Sequence, residues 1–210
     1  MGTIQGEVVK VSGPLVVAKG LSGSRMFEMV RVGEARLFGE IIEIRGDEYS
    51  IQVYEETEGI GPGQPVFPTG EALSVELGPG LIRSIYDGVQ RPLDKLFEVS
   101  GDFIVRGTES PSLDRAAIWD FVPVAKAGDA VVAGDVLGTV QESKLVVHKI
   151  MVPHGVSGKV TQVNAVKGNV ETTVAVIETP TGVINVNMIQ RWPVRHPRKV
   201  SRKLPPVEPL

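Results

Sequence analysis

The sequence contains no cysteine, which excludes a disulfide framework, a thiolate metal site and a cysteine nucleophile, and fits a reducing compartment. No apolar run approaches the ~20 residues that a membrane-spanning helix needs. The N-terminus lacks the basic-then-apolar layout of a secretory signal, and Gly6 stands where a myristoylation pattern wants Ser or Thr. These absences predict a cytoplasmic protein with no direct membrane insertion. Aromatic residues make up only 5% of the chain.

No self-sufficient catalytic constellation is present either. Residues 155–160 (GVSGKV) resemble a phosphate loop, but Pro153 replaces the leading glycine and Val160 the hydroxyl that would hold magnesium. A strand-connecting turn is the better reading there. His148 and His154 are six apart with no carboxylate between them, and His196 lies in a separate basic stretch, so structural or exposed roles are expected for all three. The acid pairs Glu55-Glu56 and Asp47-Glu48 fall in turn-like, solvated places. No serine is framed as Gly-x-Ser-x-Gly. The expectation is no catalytic, cofactor-binding or metal residue in this chain.

The formal net charge of -3 hides an uneven distribution. Arg191, Arg195, Arg198, Lys199, Arg202 and Lys203 cluster with no acid among them, leaving 16 basic against 25 acidic residues elsewhere. A nucleic-acid arm is one reading. The acidic body and the single interleaved aromatic, Trp192, favour a solvated or partner-covered linker instead.

What the chain does have is β-sequence in abundance. Residues 3–11 and 14–19 read as strands joined at Ser12-Gly13, followed by 26–32 and 36–44. Tyr49, Ile51 and Val53 alternate with Ser50, Gln52 and Tyr54, and Val66-Phe67 restarts a short strand after the loop 59–65. Six short strands with Gly-rich turns predict a small closed barrel over 1–73. Residues 74–112 form a connector with corners at Gly78-Pro79-Gly80 and Asp87-Gly88. It carries an apolar set from Leu81 to Phe97 too large for water, and a turn or so of helix at 94–99. From 113 to 187 the chain is strand-like again. Residues 121–140 and 158–176 echo one another as strand, Gly-Asp or Gly-Asn turn, strand, which predicts two similar sheets packed as a sandwich. The basic Pro-rich segment 188–210 follows.

The echo resembles the barrel-sandwich hybrid of biotinyl and lipoyl carrier domains, which present a modifiable lysine at a hairpin tip. Lys144 sits near the corresponding place, but its neighbours match neither the Met-Lys-Met nor the Asp-Lys-Ala tip, so the likeness is one of fold.

A wider resemblance rests on longer stretches. These are GEVVKVSGPLVVA at 6–18, VGE at 32–34, LFGEII at 37–42, QVYEET at 52–57, ELGPG at 76–80, IYDGVQRPL at 85–93, MIQRWPVR at 188–195 and KLPP at 203–206. In this order they resemble the catalytic alpha chain of V-type and archaeal A-type ATP synthases. The resemblance implies a mainly β chain. It would hold the six-stranded N-terminal barrel, a barrel-sandwich-like insertion (the bulge) and the first elements of a truncated α/β nucleotide-binding domain. It implies ring assembly with the ATP synthase B subunits in a hexamer, contact with peripheral-stalk and central-stalk subunits, and a place peripheral to the membrane in the soluble sector. ATP and magnesium are implied for the full-length alpha chain, whose phosphate loop would follow Leu210, and no cofactor for this portion, which is expected to be inactive alone. Two other readings stay open on the residues themselves: a free-standing carrier or interaction module attached through Lys144, and a basic-tailed nucleic-acid-binding protein.

Overall fold

Alternation of inward apolar and outward polar residues shapes parts of the first half of the chain, as at residues 48–53. A computed structural model describes residues 5–197. Six strands, β1 (Gly6–Ser12), β2 (Leu15–Lys19), β3 (Glu28–Val32), β4 (Leu37–Arg45), β5 (Glu48–Val53) and β6 (Pro65–Ala72), close into an antiparallel barrel in the order β1-β2-β5-β4-β3-β6. Closure is made where Gly6 meets Val66. Tyr49, Ile51 and Val53 point inward with Val8, Val16, Val30 and Ile41, while Gln52 faces out. The part of the first expected strand at Thr3 and Ile4 lies outside the described residues. The third strand starts at Glu28 rather than Met26, because Phe27 takes a positive φ of 65° that interrupts extended backbone.

After the barrel, β7 (Ser74–Leu77) leads to a 3-10 turn at Leu81–Arg83 and to the short helix α1 (Leu93–Ser100), entered from Pro92 and ended at Gly101. Pro92 suits the helix entry because its fixed φ costs nothing there. Of the connector's apolar set only Leu96 is buried, and Ile85 is 75% exposed.

The sandwich has two four-stranded antiparallel sheets built from β8 (Trp119–Pro123), β9 (Ala130–Val132), β10 (Val136–Gln141), β11 (Val147–Met151), β12 (Ser157–Val163), β13 (Val166–Gly168), β14 (Thr173–Thr179) and β15 (Gly182–Asn187). Their orders are β11-β10-β8-β13 and β15-β14-β12-β9. The sequence echo holds, with β8 to β11 repeated as β12 to β15, but neither sheet is made by one half alone. Each half sends its three-residue strand across to the other's sheet, β9 to β12 and β13 to β8. Backbone bonds beside Gly128 hold the first of these crossings: Gly128 N–H donates to Val160 O at 2.7 Å, and Val160 N–H donates back to Asp129 O at 2.9 Å. Phe121, Leu137, Val140, Val160 and Ile177 fill the space between the sheets.

The chain leaves through β16 (Gln190–Pro193), which pairs antiparallel with β7 so that Gln190 faces Leu77 and Pro193 faces Ser74. This two-stranded ribbon forms the neck between barrel and sandwich.

Candidate functional site

Lys144 lies exposed in the hairpin tip between β10 and β11, beside Leu145, which is 95% exposed. Glu142 anchors the tip to the connector. Its Oε1 accepts from Ile82 N–H at 3.2 Å, and its carbonyl accepts from Arg83 Nη2 at 2.6 Å. His148, on the next strand, has Nδ1 3.8 Å from Glu142 Oε2. Burial pushes the His148 imidazole below its ordinary value of 6.5, and Glu142 offsets this only in part. The unfolded chain therefore takes up this proton first, so His148 removes stability as pH falls through the range near and below 6.5. His148→Gln should flatten the decline of unfolding free energy between about pH 7 and 5. Denaturant titrations at both pH values check this, and equal slopes in the two proteins would refute it.

Two of the three histidines share a site in space: His154 and His196 both line a cavity of about 700 Å³, as does Trp192. The His154 ring stands edge-on to Trp192 at 5.2 Å, and Trp192 Nε1 donates to His196 O at 2.9 Å. Residues 155–160 form the turn before β12 and its first residues, with Lys159 in register opposite Glu178. Asp47 lies in the β4–β5 turn and Glu48 begins β5, both exposed. Among the described residues no group of three or more His, Cys, Asp or Glu is placed to hold a metal ion. Arg198, Lys199, Arg202 and Lys203 lie outside the described residues.

The densest polar chemistry lies at the junction of barrel, connector and ribbon. Arg91 donates through Nε to Asp87 Oδ2 at 2.7 Å, and through Nη1 to Glu55 Oε1 at 3.1 Å and Thr108 O at 2.9 Å. Glu55 is not the solvated acid its sequence surroundings predicted. The chain folds back across the barrel wall after β5, and the loop after α1 covers it, so Glu55 also accepts from Phe38 N–H and Gly107 N–H. Its neighbour Glu56 is exposed as expected. The Phe38 ring takes Arg31 Cζ at 3.4 Å from its centroid, with Arg91 Cζ at 5.1 Å.

Glu76, on β7, receives both Nη groups of Arg115, at 2.7 and 2.8 Å, with Arg191 Nη2 at 3.5 Å. Burial alone would raise its carboxyl, but the Arg115 bonds override this and hold it below the usual carboxylate value. Gln90 clasps the same residue's backbone in both directions. Arg31, Arg91, Arg115 and Arg191 line a cavity of about 420 Å³ with Glu71, Glu76 and Glu109.

A third node ties the chain beyond the ribbon to the barrel. Fully buried Glu40 accepts from Arg195 Nε at 2.7 Å, Arg195 Nη2 at 2.5 Å and Tyr54 Oη at 2.7 Å. Burial would raise this carboxyl as well, yet Arg195 and Tyr54 hold it low. Tyr54 is pushed up by burial and by Glu40. Glu40, Glu55, Glu76 and Asp87 thus each face a guanidinium. That arrangement fastens elements together. The partners are 36 to 155 residues apart for Arg91–Glu55, Arg115–Glu76 and Arg195–Glu40, so spacing did not reveal them. The one available signal was membership of the resembling stretches, which supply Glu40, Glu55, Glu76, Asp87, Arg91 and Arg195.

Comparison with known proteins gives a consistent picture. The profile described as "ATP synthase alpha/beta family, beta-barrel domain" matches residues 8–70, and that of the "ATPsynthase alpha/beta subunit barrel-sandwich domain" matches 110–195. The chain is 56% identical over 206 residues to the V-type ATP synthase alpha chain of Clostridium perfringens, covering 98% of this chain and 35% of that one. It is 56% identical over 208 residues to the Streptococcus sanguinis V-type alpha chain, with the same coverage. To the A subunit of the Pyrococcus horikoshii A-type ATP synthase it is 53% identical over 209 residues, covering 98% of this chain and 22% of the relative. The chain thus spans about a third of the length of the curated V-type relatives it matches. No helix among the described residues is long and apolar enough to cross a membrane.

Proposed function

This chain belongs to the ATP synthase alpha/beta family, in the branch of the V-type and A-type alpha chains, and from that premise we propose that it serves the assembly of a rotary ATP synthase. In that reading the parent chain takes part in ATP synthesis or hydrolysis coupled to proton or sodium transport. The barrel joins a ring of alternating A and B subunits, and the sandwich stands out from the ring to contact the peripheral stalk. In this reading the nucleotide chemistry of the parent chain lies outside these 210 residues, which contain no Gly-x4-Gly-Lys-Ser/Thr loop.

The observation that carries the reading is collinear identity above 50% across 98% of the chain. The junction is compatible with it: guanidinium–carboxylate pairs hold barrel, connector and ribbon in fixed relation, as a scaffold requires and a self-contained active site does not.

Two measurements test it. The isolated chain should show no heat of ATP binding in calorimetry, and saturable binding would refute the assignment of nucleotide chemistry elsewhere. An affinity-tagged alpha chain carrying this region should co-purify with the other ATP synthase subunits from membranes. Removal of the sandwich from that chain should leave the ring intact and release stalk subunits, whereas loss of the ring with retention of the stalk would reverse the assigned roles.

A further inference from the structure

One residue carries both the attachment of the β10–β11 hairpin tip to the connector and the charge that faces the histidine of β11. Among the described residues, two hydrogen bonds tie the tip, residues 142–146, to the connector, and both end on Glu142. Ile82 N–H donates to its Oε1 at 3.2 Å, and Arg83 Nη2 donates to its carbonyl at 2.6 Å. The tip is also closed on itself. Glu142 N–H donates to Val146 O at 3.0 Å, and Ser143 Oγ accepts from the N–H groups of Leu145 and Val146. Once the two outward bonds part, the tip can leave the connector as a unit.

Glu142 is 2% exposed, and its second oxygen, Oε2, accepts no hydrogen bond. His148 Nδ1 faces that oxygen at 3.8 Å, too far for a hydrogen bond. The imidazole shares the inner side of β11 with buried Ile150. It stands in register opposite Val140, which is itself opposite Phe121, so the neighbouring strands bring buried apolar side chains to it. The connector contributes the Arg83 guanidinium, bound to the Glu142 carbonyl, and Tyr86, on which Glu142 also acts. Burial holds the Tyr86 phenol above its ordinary value, so it stays neutral near pH 6. Lys144 in the tip and Lys149 on the outer side of β11 are exposed. The charge that acts on His148 is that of Glu142, and burial outweighs it.

We propose that protonation of His148 unlatches the hairpin tip from the connector turn at Leu81–Arg83, so that this tie between sandwich and connector depends on pH. In the released state the imidazole meets water at its ordinary value of 6.5. The attached state takes up the proton less readily, and by linkage a fall in pH through 6.5 favours release. The carboxylate that loses Ile82 N–H is then free to turn its unpaired oxygen to the imidazolium. The latch lies wholly within this chain and does not rest on the assembly reading above.

Amide hydrogen exchange read by mass spectrometry on the full alpha chain tests it, each rate being divided by the intrinsic rate at that pH. Between about pH 7.5 and 5.5, opening in peptides covering 81–84 and 142–146 should rise severalfold, with a ceiling of about tenfold set by one proton taken up at 6.5. Strands β4 and β5 should keep their protection, since the release is local. His148→Gln should hold the rise below about twofold. Exchange at the imidazole C2 position of the parent chain should give His148 a midpoint below 6.5, a readout that needs no variant to fold. A flat response in the parent chain, an equal rise in β4 and β5, a rise that survives His148→Gln, or a His148 midpoint at or above 6.5 overturns the latch.

Discussion

Arg91→Ala should lower the unfolding free energy by about 3–5 kcal/mol. The guanidinium is 8% exposed, and the carboxylates it faces, Glu55 and Asp87, are 10 and 16% exposed. Removing the cation leaves two anions largely out of water with reduced compensation, which costs more than the pair itself contributes. Thr108 O loses its donor too, and the loop after α1 loses one of its attachments. Urea unfolding followed by far-UV circular dichroism measures the cost, and amide exchange at Gly107 and Thr108 should quicken. The double substitution Arg91→Met with Glu55→Gln should recover part of the loss, since fewer charges are then buried. A loss below about 1 kcal/mol for Arg91→Ala would place this cluster with solvated surface pairs.

Gly158→Ala should damage the sandwich and spare the barrel. Gly158 lies in β12 between β9 and β14, and a Cβ there would fall 2.1 Å from Glu178 O and 2.9 Å from Glu178 C. Both obstacles are backbone, so a rotamer change cannot relieve them and the strands must move apart. Overpacking of this kind costs about 1–3 kcal/mol. Tryptophan provides a selective reporter, because the two in the sequence are Trp119 in the sandwich and Trp192 in the ribbon. The fluorescence transition should shift to lower urea while amide exchange in β4 and β5 stays as in the parent chain. Equal loosening of β4 and β5 would mean that the two bodies unfold together.

The barrel was legible because its information is local. Alternation at Tyr49, Ile51 and Val53 fixes which face is inward, and hairpin turns such as Gly46-Asp47 bring neighbouring strands together. The sandwich was legible as a repeat, but the exchange of β9 and β13 was not. A three-residue strand fits either sheet on its own pattern, and backbone bonds beside Gly128 hold β9 in its place. The junction was the least readable part. Glu55 follows directly on β5 and looks like a solvated turn acid; only the approach of Arg91, 36 residues on, makes it an interior one. Likewise Glu76 and Arg191 stand in two resembling stretches whose connection appears once β7 and β16 pair.

That pairing also determines how mechanical load travels. Ser74 and Pro193 face each other at the same end of the ribbon, and Val194 N–H donates to Leu73 O at 2.9 Å. Tension applied between the barrel and the chain beyond residue 195 therefore meets the Leu73–Val194 bond and the Glu40–Arg195 clamp first, as the opening teeth of a zipper. The sandwich hangs outside the load path. It can bear on a neighbour without being stretched, and a pull strong enough to reach it must first unzip β7 from β16.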